Sequence, residues 1–192
     1  MRNFLLVLLL SFSQNTVFAS EWQVDTSAKN LVQFTSEVVV LTFDGVTDNI
    51  DGYLYWEGDS MFQTNSKLYF EVDLNTLETG MSKRDRDMRD VLETPKWQFT
   101  SFEGQISSVE KIDSTETAFQ IWTTGKMFIH GVSQEMEIPG MVTIETDGRM
   151  RVVCDFVVLL SDFNIEAPSL AAFVKVSNEI KLHLDFYLNE SK

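Results

Sequence analysis

Long segments in which apolar and polar residues alternate restrict the fold of this chain more than any other feature of its sequence. The alternation is clearest in Ile50–Glu57, Lys67–Leu74, Met150–Leu160 and Val174–Leu188. Because successive side chains of a strand point to opposite faces of a sheet, each segment predicts a strand with one buried face. Many such strands predict an all-β, antiparallel barrel of about eight strands, since closing the sheet removes its exposed edges.

Further strands are predicted between these segments, and short turn signals separate several of them. The further strands are Trp22–Thr26, Leu31–Val40, Trp97–Ile106 and Ala118–Ile129. Asp44-Gly45 indicates a turn, and Asp147-Gly148 is typical of a two-residue hairpin turn. Pro139-Gly140 predicts a bulge or a break, because proline has no N–H group to give to a sheet.

Only one segment, Ser82–Glu93, carries a convincing helix signal. Ser82 is a favourable N-cap, and Asp85 stands where a capping box has Glu or Gln. Pro95 ends the helix. An apolar stripe runs along one side of it, formed by Met88, Val91 and Leu92. A short amphipathic helix in a chain of strands must bury this stripe, so we predict that it covers the interior of the barrel.

The first 19 residues have the pattern of a secretory signal peptide. Arg2 precedes an apolar run at Phe4–Leu10, and Val17–Ala19 supplies the cleavage site. The run is shorter than the roughly 20 apolar residues of a transmembrane helix, and no cysteine for lipid attachment lies near the cleavage site. We therefore predict export, cleavage before Ser20, no stable membrane anchor, and one domain over residues 20–192.

The charge balance is strongly acidic, with 29 Asp and Glu residues against 15 Lys and Arg residues and a net charge of −14 at pH 7. A surface of this sign repels nucleic acid and anionic membranes, so we predict neither as a partner. The single cysteine, Cys154, cannot form an internal disulfide, although the predicted destination is oxidising. Its place on the apolar face of Met150–Leu160 predicts a small, unreactive hydrophobic residue.

No arrangement of residues in the sequence indicates catalysis or metal binding. The two histidines, His130 and His183, and the single cysteine are too scattered along the chain to match a zinc site. We interpret His130 as a structural residue bonded to backbone, and His183 as a residue that faces solvent. No Gly-x-Ser-x-Gly motif, phosphate-binding glycine loop or nucleophile beside a base is present. We therefore predict a protein that is not an enzyme and that holds no metal and no cofactor.

Several short motifs, in a fixed order along the chain, resemble those of the YceI-like family. They are Trp22–Asp25, Ile50–Gly52, Thr76–Gly80, Arg84-Asp85, Met88-Arg89, Lys96-Trp97 and the segment Gly125–Ser133. The resemblance covers nearly all of the chain after residue 20, although Lys29-Asn30 and Gln98 depart from the family pattern and indicate a divergent member. It implies a lipocalin-like barrel, a periplasmic location and a long apolar cavity that holds a polyisoprenoid chain.

The resemblance makes the inward-facing apolar residues candidates for a lipid-binding cavity. The candidates are Phe34, Leu54, Phe70, Val72, Met88, Val91, Phe102, Met127, Ile129, Phe156, Val158, Leu182 and Leu184. The ligand would be an isoprenoid lipid, such as a polyprenyl carrier or an isoprenoid quinone, and the protein would be a monomer or a homodimer. A rival hypothesis is a filled barrel that acts as a protein-interaction or stress-response module, and the sequence does not separate the two.

Arg84 and Arg89 on the predicted helix allow two interpretations. In the first, both belong to a solvated helix surface held by ion pairs between residues four apart. The possible pairs are Asp85–Arg89, Lys83–Asp87 and Arg86–Asp90. In the second, they lie at the rim of the cavity and bind the polar or anionic headgroup of the lipid. The ion pairs favour the first interpretation, whereas the unfavourable position of arginines near a helix N-terminus indicates a compensating role.

Overall fold

The computed structural model describes residues 19–38, 41–58, 61–62, 66–112, 117–171 and 174–191. Within these ranges the chain forms one antiparallel sheet of eleven strands, one α-helix and two short 3₁₀ turns. The strands are β1 (Ala19–Val24), β2 (Leu31–Val38), β3 (Leu41–Thr47), β4 (Ile50–Glu57), β5 (Lys67–Asp73), β6 (Phe99–Lys111), β7 (Ala118–Ile129), β8 (Val132–Ile144), β9 (Met150–Leu159), β10 (Ser169–Ala171) and β11 (Val174–Glu190). The helix is α1 (Ser82–Val91), and the 3₁₀ turns are Leu74–Thr76 and Leu160–Phe163. The predicted signal peptide lies outside the described residues.

The sheet closes into a barrel because β11 pairs on one edge with β9 and on the other with both β2 and β1. β1 and β2 follow one another along the same edge of β11, and they pair in turn with β4 and β3. β1 and β2 together therefore occupy one position in the wall, and β4 and β3 together occupy the next. β10 pairs only with the beginning of β11. The result is a closed, antiparallel, eight-strand barrel, which confirms the predicted fold class.

The alternating segments place their apolar residues inside the barrel, as predicted. Leu184 in β11 lies opposite Cys154 in β9 on one side and opposite Val32 in β2 on the other. Two residues earlier, Leu182 is paired in the same way with Phe156 and Phe34. Directly opposed residues of antiparallel strands share a face, so these rows form one continuous apolar inner surface.

The predicted turn at Asp44-Gly45 is wrong, because both residues lie within β3. Gly45 is paired with Phe34 in β2, whose ring covers it so closely that a Cβ atom at Gly45 would lie 2.1 Å from Cε1 of that ring. Asp44 faces the other way and accepts a hydrogen bond of 2.6 Å from the Thr35 hydroxyl. The glycine is needed because the ring of its neighbour leaves no room for a Cβ atom. In the sequence alone, a glycine of this kind cannot be distinguished from a glycine in a turn.

Pro139-Gly140 causes no break, since β8 runs without a register shift through both residues in its pairing with β7. On its other edge, β8 pairs with β9 only from Gly140 onward, so Pro139 lies outside that ladder.

The turn predicted at Asp147-Gly148 is present, but its loop is longer than the predicted two residues. The Glu145 N–H donates to the Arg149 carbonyl, which leaves three residues in the loop, with Gly148 at a φ of +87°.

Helix α1 exists where it was predicted, but its ends differ. It begins with Ser82 as its first helical residue, Met81 stands at the N-cap position without a side-chain cap, and the last helical residue is Val91 rather than Glu93. Of the three predicted ion pairs along the described helix, only Lys83–Asp87 forms, at 2.6 Å.

Candidate functional site

The interior of the barrel contains a cavity of about 680 Å³, a volume within the range of ligand-binding pockets. Its walls are the inner faces of the strands, and one end is covered by α1 and the chain around the 3₁₀ turn Leu160–Phe163. Four buried aromatic residues lie beyond the far end of the cavity: Trp22, Trp56, Phe62 and Phe119. Each ring contacts the next one in this order, with 5.0–6.5 Å between their centres. The cavity is therefore closed by aromatic packing at one end, and at the other by α1 and the chain around Leu160–Phe163.

All the apolar residues predicted from the sequence to form a cavity line this one space. They are Phe34, Leu54, Phe70, Val72, Met88, Val91, Phe102, Met127, Ile129, Phe156, Val158, Leu182 and Leu184. Arg84 also lines the cavity, whereas Arg89 does not. The structure thus brings the predicted residues together around one empty volume, and their part in lipid binding remains a prediction.

Many further lining residues were not among the predicted candidates: a large part of them, such as Val32 and Ile138, lie on the inner faces of regular strands, and others lie where the alternation stops. Phe163, Ile165 and Pro168 reach the cavity from the chain between β9 and β10, which turns at Asn164 with a φ of +57°. Their irregular spacing gives no period of two from which an inner face could be inferred. Ser36 was missed because it is a polar residue on an otherwise apolar face.

Helix α1 covers the cavity with the apolar stripe that the sequence indicates. Met88, Val91 and Leu92 all line the enclosed volume, together with Leu77 from the chain before the helix. Asp85 is the one residue of the helix that is buried, and the apolar stripe is half-buried. The helix and Leu92, which directly follows it, therefore form a lid with three apolar side chains, rather than a central element of the core.

Asp85 holds the beginning of this lid through Thr79. Its carboxylate accepts hydrogen bonds from the Thr79 backbone N–H, at 2.8 Å, and from the Thr79 hydroxyl. The hydroxyl bond is the main reason why the pKa of Asp85 lies below its ordinary value, while burial acts in the opposite direction. Arg84 donates from Nη2 to the Thr79 carbonyl at 2.6 Å. Thr79 thus fixes two successive residues of the helix to the preceding segment.

His130 connects the far end of the lid with the other covering segment. Its Nδ1 donates to the carbonyl oxygen of Phe163 at 3.3 Å, and its Nε2 lies 3.5 Å from Oε2 of Glu93, just after α1. The residue has a φ of +53° and precedes Gly131, so the chain turns sharply here between β7 and β8. The contact with Phe163 is the backbone hydrogen bond that we predicted for a structural histidine.

The two arginines of the headgroup hypothesis have different surroundings. The guanidinium carbon of Arg84 lies 4.4 Å above the centre of the Phe43 ring, and its Nε is buried without a hydrogen-bond partner. Arg89 donates from Nη2 to the Leu77 carbonyl at 3.3 Å, and its Nε is likewise buried and unpartnered. In the described chain neither guanidinium has a carboxylate within ion-pair distance. Only Arg84 is in a position to face a ligand in the cavity.

The remaining candidate residues show no sign of a reactive centre. Cys154 lines the cavity, and burial raises the pKa of its thiol to about 12. His183 lies on the outer face and contacts Asp155 at 2.8 Å. Among the described residues, no three His, Cys, Asp or Glu side chains are grouped closely enough to hold a metal ion. The described helix is also too short and too polar to cross a membrane.

Comparison with known proteins agrees with this geometry. A family model described as the YceI-like domain matches residues 22–188. BcnA from Burkholderia cenocepacia is similar in structure with a TM-score of 0.68 at 14% identity, covering 85% of this chain and 98% of that one. A polyisoprenoid-binding domain from Saccharophagus degradans, implicated in plant cell wall breakdown, has a TM-score of 0.68 at 16% identity, covering 88% and 98%.

A YceI protein from Campylobacter jejuni has a TM-score of 0.50 at 15% identity and covers 100% of this chain and 99% of that one. At these identities the likeness to solved structures shows a shared fold. No curated protein sequence matches this chain.

Proposed function

The chain belongs to the YceI-like domain family, and from that premise we propose that it binds a long isoprenoid lipid inside its barrel. The observation that carries this proposal is the apolar cavity of about 680 Å³, which is closed at one end and covered at the other by α1. A structural relative from Saccharophagus degradans is described as a polyisoprenoid-binding domain, which supports the same class of ligand.

The proposed mechanism is passive burial of an apolar chain in a preformed cavity. Each buried CH₂ group contributes about 0.8 kcal/mol, and micromolar affinity corresponds to about 8 kcal/mol, so part of a prenyl chain is enough. Such binding needs no catalytic group, and we propose a carrier or reservoir for the lipid rather than an enzyme. A polyprenyl carrier and an isoprenoid quinone both have tails of the required kind.

We further propose that the polar end of the lipid lies at the covered end of the cavity, beside Arg84. Arg84 lines the cavity and has no carboxylate partner in the described chain, which supports this orientation. The opposite end is packed with aromatic rings that do not line the cavity, and the unpartnered indole N–H of Trp22 is buried among them rather than turned to the ligand space. Arg89 is turned toward the Leu77 carbonyl, so of the two arginines we assign the headgroup contact to Arg84.

The proposed place of action is the periplasm, after removal of residues 1–19. The basic start, the apolar run and the small residue Ala19 before Ser20 support export. N-terminal sequencing of the protein from a periplasmic extract should begin at Ser20. A chain that keeps Met1 and stays in the membrane fraction would overturn this part of the proposal.

Native mass spectrometry of protein purified from the periplasm tests the lipid itself. We expect an added mass that fits a prenyl lipid and that disappears after extraction with organic solvent. The extracted protein should then bind added geranylgeraniol, measured by the change in tryptophan fluorescence. A protein that carries no lipid and also fails to bind geranylgeraniol would overturn the proposed function.

A further inference from the structure

Ser36 is the polar side chain in the cavity wall that is hardest to explain by structure alone. It lies in β2, is only 1% exposed, and its hydroxyl has no hydrogen-bond partner. The other buried hydroxyls of the wall are satisfied, since Thr123 donates to the Ile138 carbonyl and Thr100 to the Phe128 carbonyl. A buried hydroxyl without a partner destabilises the protein, so its presence in an apolar wall requires a reason.

Arg84 has an unsatisfied atom at the same end of the cavity. One of its terminal nitrogens donates to Thr79, while Nε is buried and has no partner. Phe43 connects the two residues, because it is paired with Ser36 across β2 and β3 and its ring lies 4.4 Å from the Arg84 guanidinium carbon. Directly paired residues share a face, so Ser36 and Phe43 both face the cavity, with Arg84 over the ring.

We propose that Ser36 and Arg84 form a polar subsite that receives an anionic oxygen at the end of the bound lipid. A guanidinium fits the oxygens of a phosphate or a carboxylate, and a serine hydroxyl adds a further donor. Both unsatisfied donors would then gain an acceptor on binding. The ring of Phe43 packs against the Arg84 guanidinium and would turn aside when the anion binds, so Phe43 is the cover of the proposed subsite. This inference rests on the proposed function, since it concerns the polar end of the same ligand.

The charges around the covered end favour an anion over a neutral group. The charged residues that line the cavity are Lys83, Arg84 and Asp87. Lys83 and Asp87 form an ion pair of 2.6 Å and largely neutralise each other. Arg84 has no carboxylate within ion-pair distance in the described chain, and Asp85, which is bound to the same Thr79, acts on its charge only at longer range. A guanidinium that is partly desolvated binds an anion more strongly than it binds a neutral carbonyl or hydroxyl.

Binding of lipids with matched tails tests the subsite. The probes are geranylgeranyl diphosphate, geranylgeraniol and the hydrocarbon phytane, with oleate as an anion on a different tail. We expect Ser36→Ala and Arg84→Gln each to weaken geranylgeranyl diphosphate roughly ten- to one-hundred-fold, and to leave phytane unchanged. Loss for the diphosphate alone assigns the subsite to phosphate, and a similar loss for oleate extends it to carboxylates.

The stability of the free protein provides a second readout. Ser36→Ala removes an unsatisfied hydroxyl, so the variant should have the same Tm as the parent protein or a higher one. Arg86→Gln is the matched control, because Arg86 lies on the same helix but is exposed and away from the cavity. Equal effects of Ser36→Ala on diphosphate and phytane, or equal effects of Arg86→Gln and Arg84→Gln on the diphosphate, would overturn the subsite. Failure of every probe to bind the parent protein would instead overturn the proposed function.

Discussion

Arg151 in β9 and Asp185 in β11 form a two-pronged ion pair on the outer face of the barrel. The guanidinium Nε donates to Oδ1 at 2.8 Å, and Nη2 donates to Oδ2. The hydrogen bonds from Arg151 are the main reason why the pKa of Asp185 lies below its ordinary value, while burial acts in the opposite direction. The pair therefore links β11, the strand that closes the barrel, to β9, the strand with which β11 forms its longest ladder.

We expect Asp185→Asn to lower the free energy of unfolding at pH 7 by roughly 0.5–1 kcal/mol, a small effect because the Arg151 side chain is 41% exposed. Since the pKa is lower in the folded protein, the pair stabilises it above the ordinary value of 3.8 and is lost as the pH falls below that value. Urea unfolding at decreasing pH should therefore show the two proteins converging. Asp162→Asn, at an exposed position, serves as the control, and a difference that stays constant to low pH would contradict the assignment.

Leu184→Gln should weaken binding of geranylgeraniol roughly ten- to one-hundred-fold, because an unpaired amide in an apolar wall costs about 1–3 kcal/mol. Leu184 lines the cavity, whereas the adjacent His183 lies on the outer face. His183→Gln is therefore the matched control and should bind as the parent protein does. Circular dichroism must first show that both variants are folded. Equal losses in the two variants would mean that the wrong face of β11 had been placed inside.

Gly45→Ala should destabilise the protein by roughly 1–3 kcal/mol, since the added methyl group would collide with the ring of Phe34. The double variant with Phe34→Leu tests the cause, because a smaller side chain gives the methyl group room. We expect the loss from Gly45→Ala to be markedly smaller in the Phe34→Leu background, measured as a double-mutant cycle by urea unfolding. Strictly additive losses would show that the close approach does not explain the glycine.

Cys154 should be almost inert toward thiol reagents in the folded protein at pH 8. Burial raises the pKa of its thiol to about 12, so very little of the reactive thiolate is present. Ellman's reagent should label the protein slowly until urea unfolds it, and then react with one thiol per chain. Rapid labelling of the folded protein would show that the cavity is open enough to admit the reagent.

A residue's place in the barrel is predictable from the sequence when its neighbours along the strand determine it, and unpredictable when a residue of another strand does. Leu182 and Leu184 were placed correctly because alternation along a strand is a local property, and a closed barrel keeps it for the whole length of β11. Gly45 was misinterpreted because the reason for a glycine there is Phe34, a partner in another strand. The inward-facing residues could therefore be predicted wherever a strand runs regularly. They could not be predicted where a residue of a neighbouring strand determines which residue type fits.

The end of the barrel covered by α1 was only half predictable for the same reason. The apolar stripe of α1 is local, and it identified Met88 and Val91 as cavity residues. The position of Ser36 near Arg84 depends instead on Phe43, which is paired with one and stacked on the other. No spacing in the sequence contains that relationship. Polar subsites in β-barrels arise from strand register, which a single sequence does not reveal.

The pairing of β1 with β11 has a kinetic consequence. Trp22 lies opposite Glu190, so the contact that closes the barrel joins residues from nearly opposite ends of the described chain. The chain loses conformational entropy when it closes so long a loop, before the contacts between β1 and β11 can compensate. Proteins with such long-range strand pairing fold in about milliseconds to seconds. Stopped-flow refolding should therefore be slow, in the range of milliseconds to seconds. Until β1 pairs with β11 the barrel is an open sheet, and its apolar inner face is exposed to any hydrophobic molecule in solution.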